Sequence, residues 1–343
     1  MSVERSTSFV RRTREVREAE ERDRLAPAAT RSTESRGRAR DEPPDAYRTA
    51  FERDRDRITH SKAFRRLKHK TQVFINPEGD HFVTRLTHTI AVTQIARALA
   101  AALSLNEPLA EAIALGHDVG HSPFGHTGEE ALSPYFAGEW HHAAQSVRVF
   151  EVLEDLNLTW EVRDGIRAHS WKIEPPPATP EAFCVRYADR IAYLSHDALD
   201  AFRASVLSFE QLPPTVRARF GEPGRGWIGA MITAVIEASV AAGEVRMDAP
   251  TLAVMNELRE FMFERVYTAP AQARHQQGAI DVIRALVDHH LAHPADLPES
   301  FRESTDEPIV AVVDYVAGMT DRFALASYER LIGPPPLAPT AFA

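Results

Sequence analysis

From about residue 83 to residue 104, His88, Val92, Ile95, Leu99 and Ala102 recur at i, i+4, i+7, i+11 and i+14, the spacing of one face of an α-helix. The next segment opens at Asn106-Glu107-Pro108, a cap with proline in the first turn, and turns Leu109, Ala112, Ile113 and Gly116 inward. Helical patterning continues over roughly 141–155, 160–169, 180–206, 226–242, 250–267, 271–292 and 307–331. Loops fall at the proline clusters 175–177, 213–214 and 334–336. One β element is expected, a short hairpin of Thr71–Ile75 and His81–Thr84 around Asn76-Pro77-Glu78-Gly79-Asp80. Nothing alternates strand with helix and no internal repeat is visible, which argues against Rossmann and P-loop architectures. The fold class is all-α with one short β-hairpin.

The 343 residues leave room for a sizeable core. Lys and Arg number 40 against 49 Asp and Glu, and 44% of residues are hydrophobic, which rules out wholesale disorder. The single cysteine, Cys184, excludes a disulfide framework and any cysteine-based zinc module, so a metal must bind through histidine and carboxylate. No apolar run approaches the roughly 18 residues of a membrane span; the nearest, Ala98 to Leu105, follows Arg97. The N-terminal residues carry Arg and Glu where a secretory signal is hydrophobic, so a cytoplasmic location is expected.

The net charge of −9 hides an asymmetry: residues 1–85 carry +6 and residues 86–343 carry −15. Residues 1–42 are rich in Arg, Glu, Ser and Ala and poor in large apolar residues, so a flexible arm is expected there, with folding from Pro43 onward. In Arg53–Lys70, aromatic and aliphatic residues interleave with the basic ones. That segment has three readings: phosphate contacts supplied to a neighbouring subunit, single-stranded nucleic-acid binding, or a charged structural helix.

Eight of the fifteen histidines lie between His81 and His169. The densest segment is Gly116-His117-Asp118-Val119-Gly120-His121-Ser122-Pro123-Phe124-Gly125-His126-Thr127-Gly128-Glu129. Its glycines and proline place His117 and Asp118 at a helix C-terminus, where exposed carbonyls favour a cation and both side chains can turn to one ion. Further on, helical spacing aligns Asp189, Tyr193 and Asp197 beside an apolar face of Tyr187, Ile191, Leu194 and Ala198. That stripe reads either as a site wall or as a solvated face with tyrosine as packing.

The order His88, His117-Asp118, Asp189 resembles the HD superfamily of metal-dependent phosphohydrolases. A narrower resemblance, to the deoxynucleoside triphosphate triphosphohydrolases of the dGTPase-like group, rests on segments spread from residue 35 to 322. They include Ser35-Arg36-Gly37-Arg38, Phe51–Ile58, Phe64–Val73, Thr84–Thr89, Gly116–Glu129, His142 with Gln145-Ser146, His169-Ser170, Tyr187–Asp197 and Asp314–Arg322.

The resemblance implies an HD-type helical fold over 43–343 with a C-terminal helical extension. It implies metal ligands His88, His117, Asp118 and Asp189, holding Mn²⁺, Mg²⁺ or Fe²⁺. It implies a catalytic His126 backed by Glu129, phosphate contacts from Arg85 and Arg190, and His142 near the phosphates. Tyr193 and Asp197 would address the 3′-hydroxyl and sugar face of a deoxyribose. The histidine-asparagine pair frequent in relatives is His142-Ala143 here. The expected reaction is hydrolysis of a dNTP, dGTP or another, to deoxynucleoside and inorganic triphosphate by a homo-oligomer. The alternatives are another HD phosphohydrolase, such as a 5′-nucleotidase or phosphodiesterase, and a non-catalytic nucleotide- or single-stranded-DNA-binding protein on an HD scaffold.

Overall fold

The computed structural model describes residues 9–75, 82–268 and 270–337, and within these the chain is built from helices. The helix Arg85–Ala102 starts where Thr84 caps it: the Thr84 hydroxyl accepts from Thr87 N, and Thr87 Oγ1 accepts from Thr84 N at 2.9 Å. Its inner face is His88, Val92, Ile95 and Leu99, as the period predicts, but the stripe drifts at its end. Ala96 and Ala100 are buried there and Ala102 is exposed, because the helix turns 3.6 residues at a time.

This helix packs against Glu107–Gly116 and Pro180–Arg203, while Ala50–His60 and Trp160–Arg167 close over Glu107–Gly116. Asn106 caps the Glu107–Gly116 helix by accepting from Leu109 N, and Leu109, Ala112, Ile113 and Gly116 are buried as expected. A second apolar cluster forms where Pro270–Ala292 meets His126–Leu132, Pro308–Ala317 and Asp321–Leu331. The helical run expected over 307–331 is two helices. Gly318-Met319 break it, and Thr320 caps the second by accepting from Phe323 N.

Among the described residues the expected hairpin shows one antiparallel bridge, Thr71 to Thr84, and its turn and His81 lie outside them. Of the N-terminal segment expected to be flexible, residues 13–42 are laid on the body by buried carboxylates. Glu181 accepts from Thr30 N, Thr30 Oγ1 and Asn106 N at 3.0, 2.8 and 3.0 Å. Glu21 accepts from Ser32 N and Oγ, Glu161 from Arg36 N and Ser35 Oγ, and Arg38 pairs with Asp54. A segment poor in apolar residues is ordered here by polar anchors, which composition does not reveal.

Candidate metal centre and active site

The Glu107–Gly116 helix ends at the glycine-rich turn as expected, with His117 as its last capping residue and His126–Leu132 beginning nine residues on. Two glycines hold this turn in place. A side chain at Gly120 would put its Cβ 2.2 Å from Ser146 N, and Gly125 adopts φ +60° immediately before the His126 helix. The turn thus lies against the His142–Arg148 helix, and Ser146 Oγ bridges it, accepting from Gly120 N and donating to His117 O.

His88, His117, Asp118 and Asp189 converge from separate elements. His88 Nε2 lies 3.1 Å from Asp189 Oδ1 and 3.9 Å from Asp118 Oδ2; His117 Nε2 lies 3.4 Å from Asp118 Oδ1 and 3.8 Å from Asp189 Oδ1. His117 Nδ1 is 2.7 Å from Ala114 O, so that nitrogen carries the proton and Nε2 presents its lone pair. That buried Nε2 has no hydrogen-bond partner among the described residues. Burial opposes charge on Asp118, but His117, His121 and Arg85 hold its carboxyl well below the usual range. Burial likewise opposes charge on Asp189, and its bond to His88 with the neighbouring His117 brings it to about 2. Two ionised carboxylates, one buried and one partly so, beside an orphaned imidazole nitrogen form a mixed donor set that fits a divalent cation.

Arg85, only 2% exposed, donates to Asp118 Oδ2 at 2.7 Å. On the other side of Asp118 lies a histidine cluster around Glu129. Glu129 Oε1 is 2.7 Å from His142 Nδ1 and 2.8 Å from His121 Nδ1, whereas its Oε2 is 3.6 Å from His126 Nδ1. The i, i+3 contact of His126 and Glu129 therefore forms, but Glu129 grips His142 and His121 more closely. Burial opposes charge on Glu129, yet these three imidazoles keep it well below the carboxylate range. His126 alone among them is open, with 76% of its side chain exposed. Crowding opposes its charge, and the Glu129 carboxylate outweighs that and raises it above the ordinary histidine value.

The helix Pro180–Arg203 carries Asp189, Arg190, Tyr193 and Asp197. Arg190 is drawn away from the cluster, stacked over Trp171 at 4.5 Å and donating to Asn256 Oδ1 at 3.2 Å. Asp197 accepts from Tyr267 Oη at 2.7 Å through Oδ2, and its buried Oδ1 has no partner among the described residues. Burial raises Asp197 to about 8 and Tyr193 to about 12. Two recesses, of about 430 and 170 Å³, lie apart from the histidine cluster, one between the N-terminal segment and Ala50–Arg53, the other behind Gly120 beside Lys70.

Three members of this constellation carry no role in the sequence reading. His121 sits four residues beyond His117, in the turn that follows the helix, and was legible as part of the dense segment. His169 lies 3.0 Å from His142, nitrogen to nitrogen, and Tyr267 reaches Asp197 from another helix; local spacing signals neither.

An HD domain matches residues 85–194, spanning every ligand candidate, and a phosphohydrolase-associated domain matches residues 245–330, which include Asn256 and Tyr267. A protein of Caldanaerobacter subterraneus subsp. tengcongensis named deoxyguanosinetriphosphate triphosphohydrolase-like protein is 48% identical over 329 residues, covering 94% of this chain and 96% of that one. The chain belongs to the deoxyguanosinetriphosphate triphosphohydrolase-like family. A family member from Desulfatibacillum aliphaticivorans is 44% identical over 350 residues, covering 94% and 99% of the two chains, and one from Clostridium perfringens strain SM101 is 40% identical over 329 residues, covering 92% and 96%. A solved structure of a hypothetical protein from Aquifex aeolicus superposes on 81% of this chain and 71% of that one, with a TM-score of 0.47 and 20% identity. Membership of this family and the HD match make the protein an HD-type phosphohydrolase. No helix among the described residues is long and apolar enough to cross a membrane.

Proposed function

We propose that the protein hydrolyses deoxynucleoside triphosphates at the α-phosphorus, breaking the bond to the 5′-oxygen and releasing deoxynucleoside and inorganic triphosphate. The observation that carries this reading is the convergence of His88, His117, Asp118 and Asp189 on one point, with the open His126 and its Glu129 beside it. The names of the relatives agree with that substrate class.

His88, His117, Asp118 and Asp189 would hold Mn²⁺, Mg²⁺ or Fe²⁺, which when bound polarises a phosphate oxygen and acidifies water. Arg85 neutralises phosphate charge from a position fixed by Asp118. His126, whose hold on a proton Glu129 strengthens, donates a proton to the departing 5′-oxygen. His142 is oriented by Glu129 toward the phosphates, and Arg190 is stored on Trp171 and Asn256 until substrate draws it in. Tyr193 and Asp197 receive the deoxyribose, one and two helical turns from Asp189.

Several basic side chains of segment 53–70 are engaged within the chain, while Lys62, Arg65 and Lys68 are exposed, which favours the structural reading for the engaged part. Arg53 donates to Pro43 O, Arg57 pairs with Glu42, Arg66 donates to Gly318 O and Lys70 to two carbonyls. A homo-oligomer is part of the same proposal, and its mass in solution by light scattering tests it. For the activity, each of the four dNTPs is incubated with Mn²⁺ or Mg²⁺, alone and mixed, and the phosphates are separated by chromatography. Triphosphate as the product supports the reading, and pyrophosphate or orthophosphate rejects it.

A further inference from the structure

Lys70 is a buried cation with no anion of its own. Its Nζ donates to the carbonyls of His121 and Ala317, and among the described residues no carboxylate pairs with it. An ammonium carries three N–H bonds, so one is left over. Only 2% of the residue is exposed, and it lines the recess of about 170 Å³ behind Gly120. Burial, with the charge of Arg66 next, pushes its pKa down to about 7, the mark of a charge kept from water without a counterion.

The other charges around the recess add to that excess. Lys62 and Arg66 line it from the Lys62–Arg66 helix. Lys62 is exposed, and among the described residues its ammonium forms no ion pair. Arg66 donates to Gly318 O at 2.8 Å, which leaves its other N–H groups to the recess. Against these three cations stands Glu154, 4.0 Å from Arg66, whose oxygens already accept from Lys62 N at 2.8 Å and Ala63 N at 2.7 Å. Gln145, also on the wall, binds Asp314, but Arg148 neutralises that carboxylate through Nε at 2.8 Å and Nη2 at 2.7 Å. The recess therefore carries surplus positive charge, held where water screens it least. Its volume is well below the roughly 300 Å³ from which drug-sized ligands are taken, so it fits a small ion and not a nucleotide.

We propose that this recess binds a small tetrahedral oxyanion, inorganic phosphate, between Lys70, Arg66 and Lys62. The third Lys70 N–H and the remaining N–H groups of Arg66 supply charge-assisted hydrogen bonds to its oxygens. The site lies apart from the His88, His117, Asp118 and Asp189 cluster and does not depend on the substrate proposed above. The chain itself links the two places: Lys70 holds His121 O, and Gly120 on the wall belongs to the same turn as Asp118. An ion that fixes Lys70 also stiffens that turn.

The test is equilibrium dialysis of the full chain against radiolabelled inorganic phosphate, with wild type beside Lys70→Met and Lys62→Met. Phosphate held at the histidine and aspartate cluster is common to all three, so the difference between them reads the recess. Lys70→Met should weaken one phosphate site by about 10- to 100-fold, the loss of a hydrogen bond to a charged group. Lys62→Met, a change on an exposed side chain, should weaken the same site by about 2- to 5-fold. Identical isotherms for wild type and Lys70→Met overturn the proposal. Should Lys70→Met fail to fold, an unchanged isotherm for Lys62→Met overturns it alone. The products released from a dNTP do not enter this comparison, so a failed activity assay leaves it standing.

Discussion

His88 Nε2 lies 3.1 Å from Asp189 Oδ1 although 101 residues separate them, and the whole arrangement of the Arg85–Ala102 and Pro180–Arg203 helices serves to close that gap. Removing either partner leaves a donor set with too few atoms. Asp189→Ala is therefore expected to lose its divalent ion on gel filtration while remaining folded. His126→Ala, which touches none of the four ligands closely, should retain metal and lose turnover by roughly 10²–10⁴-fold, the worth of a general acid. Elemental analysis beside kcat separates the two, and equal activity in both variants would contradict the assignment.

Tyr267 holds Asp197 by the bond to Oδ2. Tyr267→Phe deletes that donor with little change in shape and leaves a buried carboxyl group without a partner. The expected result is an increase in KM for dNTPs of about 5- to 10-fold, the value of one hydrogen bond. With substrates lacking the 3′-hydroxyl the variant and wild type should differ much less. An equal effect on both substrate sets would detach Asp197 from the sugar.

Lys70 is 2% exposed and spends its charge on the carbonyls of His121 and Ala317. Burial, with Arg66 adding to it, pushes the ammonium down to about 7 from an ordinary 10.5. Between those two values the unfolded chain binds the proton and the folded chain does not, so this group makes stability rise with pH across that window. Lys70→Met should remove that contribution, flattening the rise in denaturation midpoint between about pH 7 and pH 10 relative to wild type. Parallel pH profiles for the two proteins would show that Lys70 stays protonated in the fold.

Glu181 accepts three hydrogen bonds that tie Thr30 and Asn106 together. Glu181→Ala leaves those donors buried, and a loss of about 1–3 kcal/mol in stability is expected from urea denaturation. Proteolysis should then cut first within residues 13–42. A variant as stable and as resistant as wild type would mean that the N-terminal segment is held elsewhere.

Much of this was legible because it depends on local period and caps. The face from His88 to Leu99, the capped start at Asn106 and the helix end at His117-Asp118 follow from spacing and from glycine and proline chemistry. Asp189, Tyr193 and Asp197 share a helix, so their alignment was legible too. The polar docking of residues 13–42 was not, since a carboxylate such as Glu181 looks like a surface residue until its partners arrive from 151 residues away. The same holds for Tyr267 on Asp197 and for His169 on His142, where each partner comes from a different helix or loop and no periodicity links them. For Arg190 the family resemblance implies a phosphate contact, and in the structure its guanidinium lies over Trp171 and donates to Asn256.

The most direct measurement is of where water enters the product. A dNTP is hydrolysed to completion in oxygen-18 water with Mn²⁺ present, and the phosphate and nucleoside products are weighed by mass spectrometry. Attack at the α-phosphorus predicts intact triphosphate carrying one heavy oxygen and an unlabelled deoxynucleoside. Label in the deoxynucleoside, or release of pyrophosphate or orthophosphate in place of triphosphate, would contradict the mechanism built on His88, His117, Asp118, Asp189 and His126.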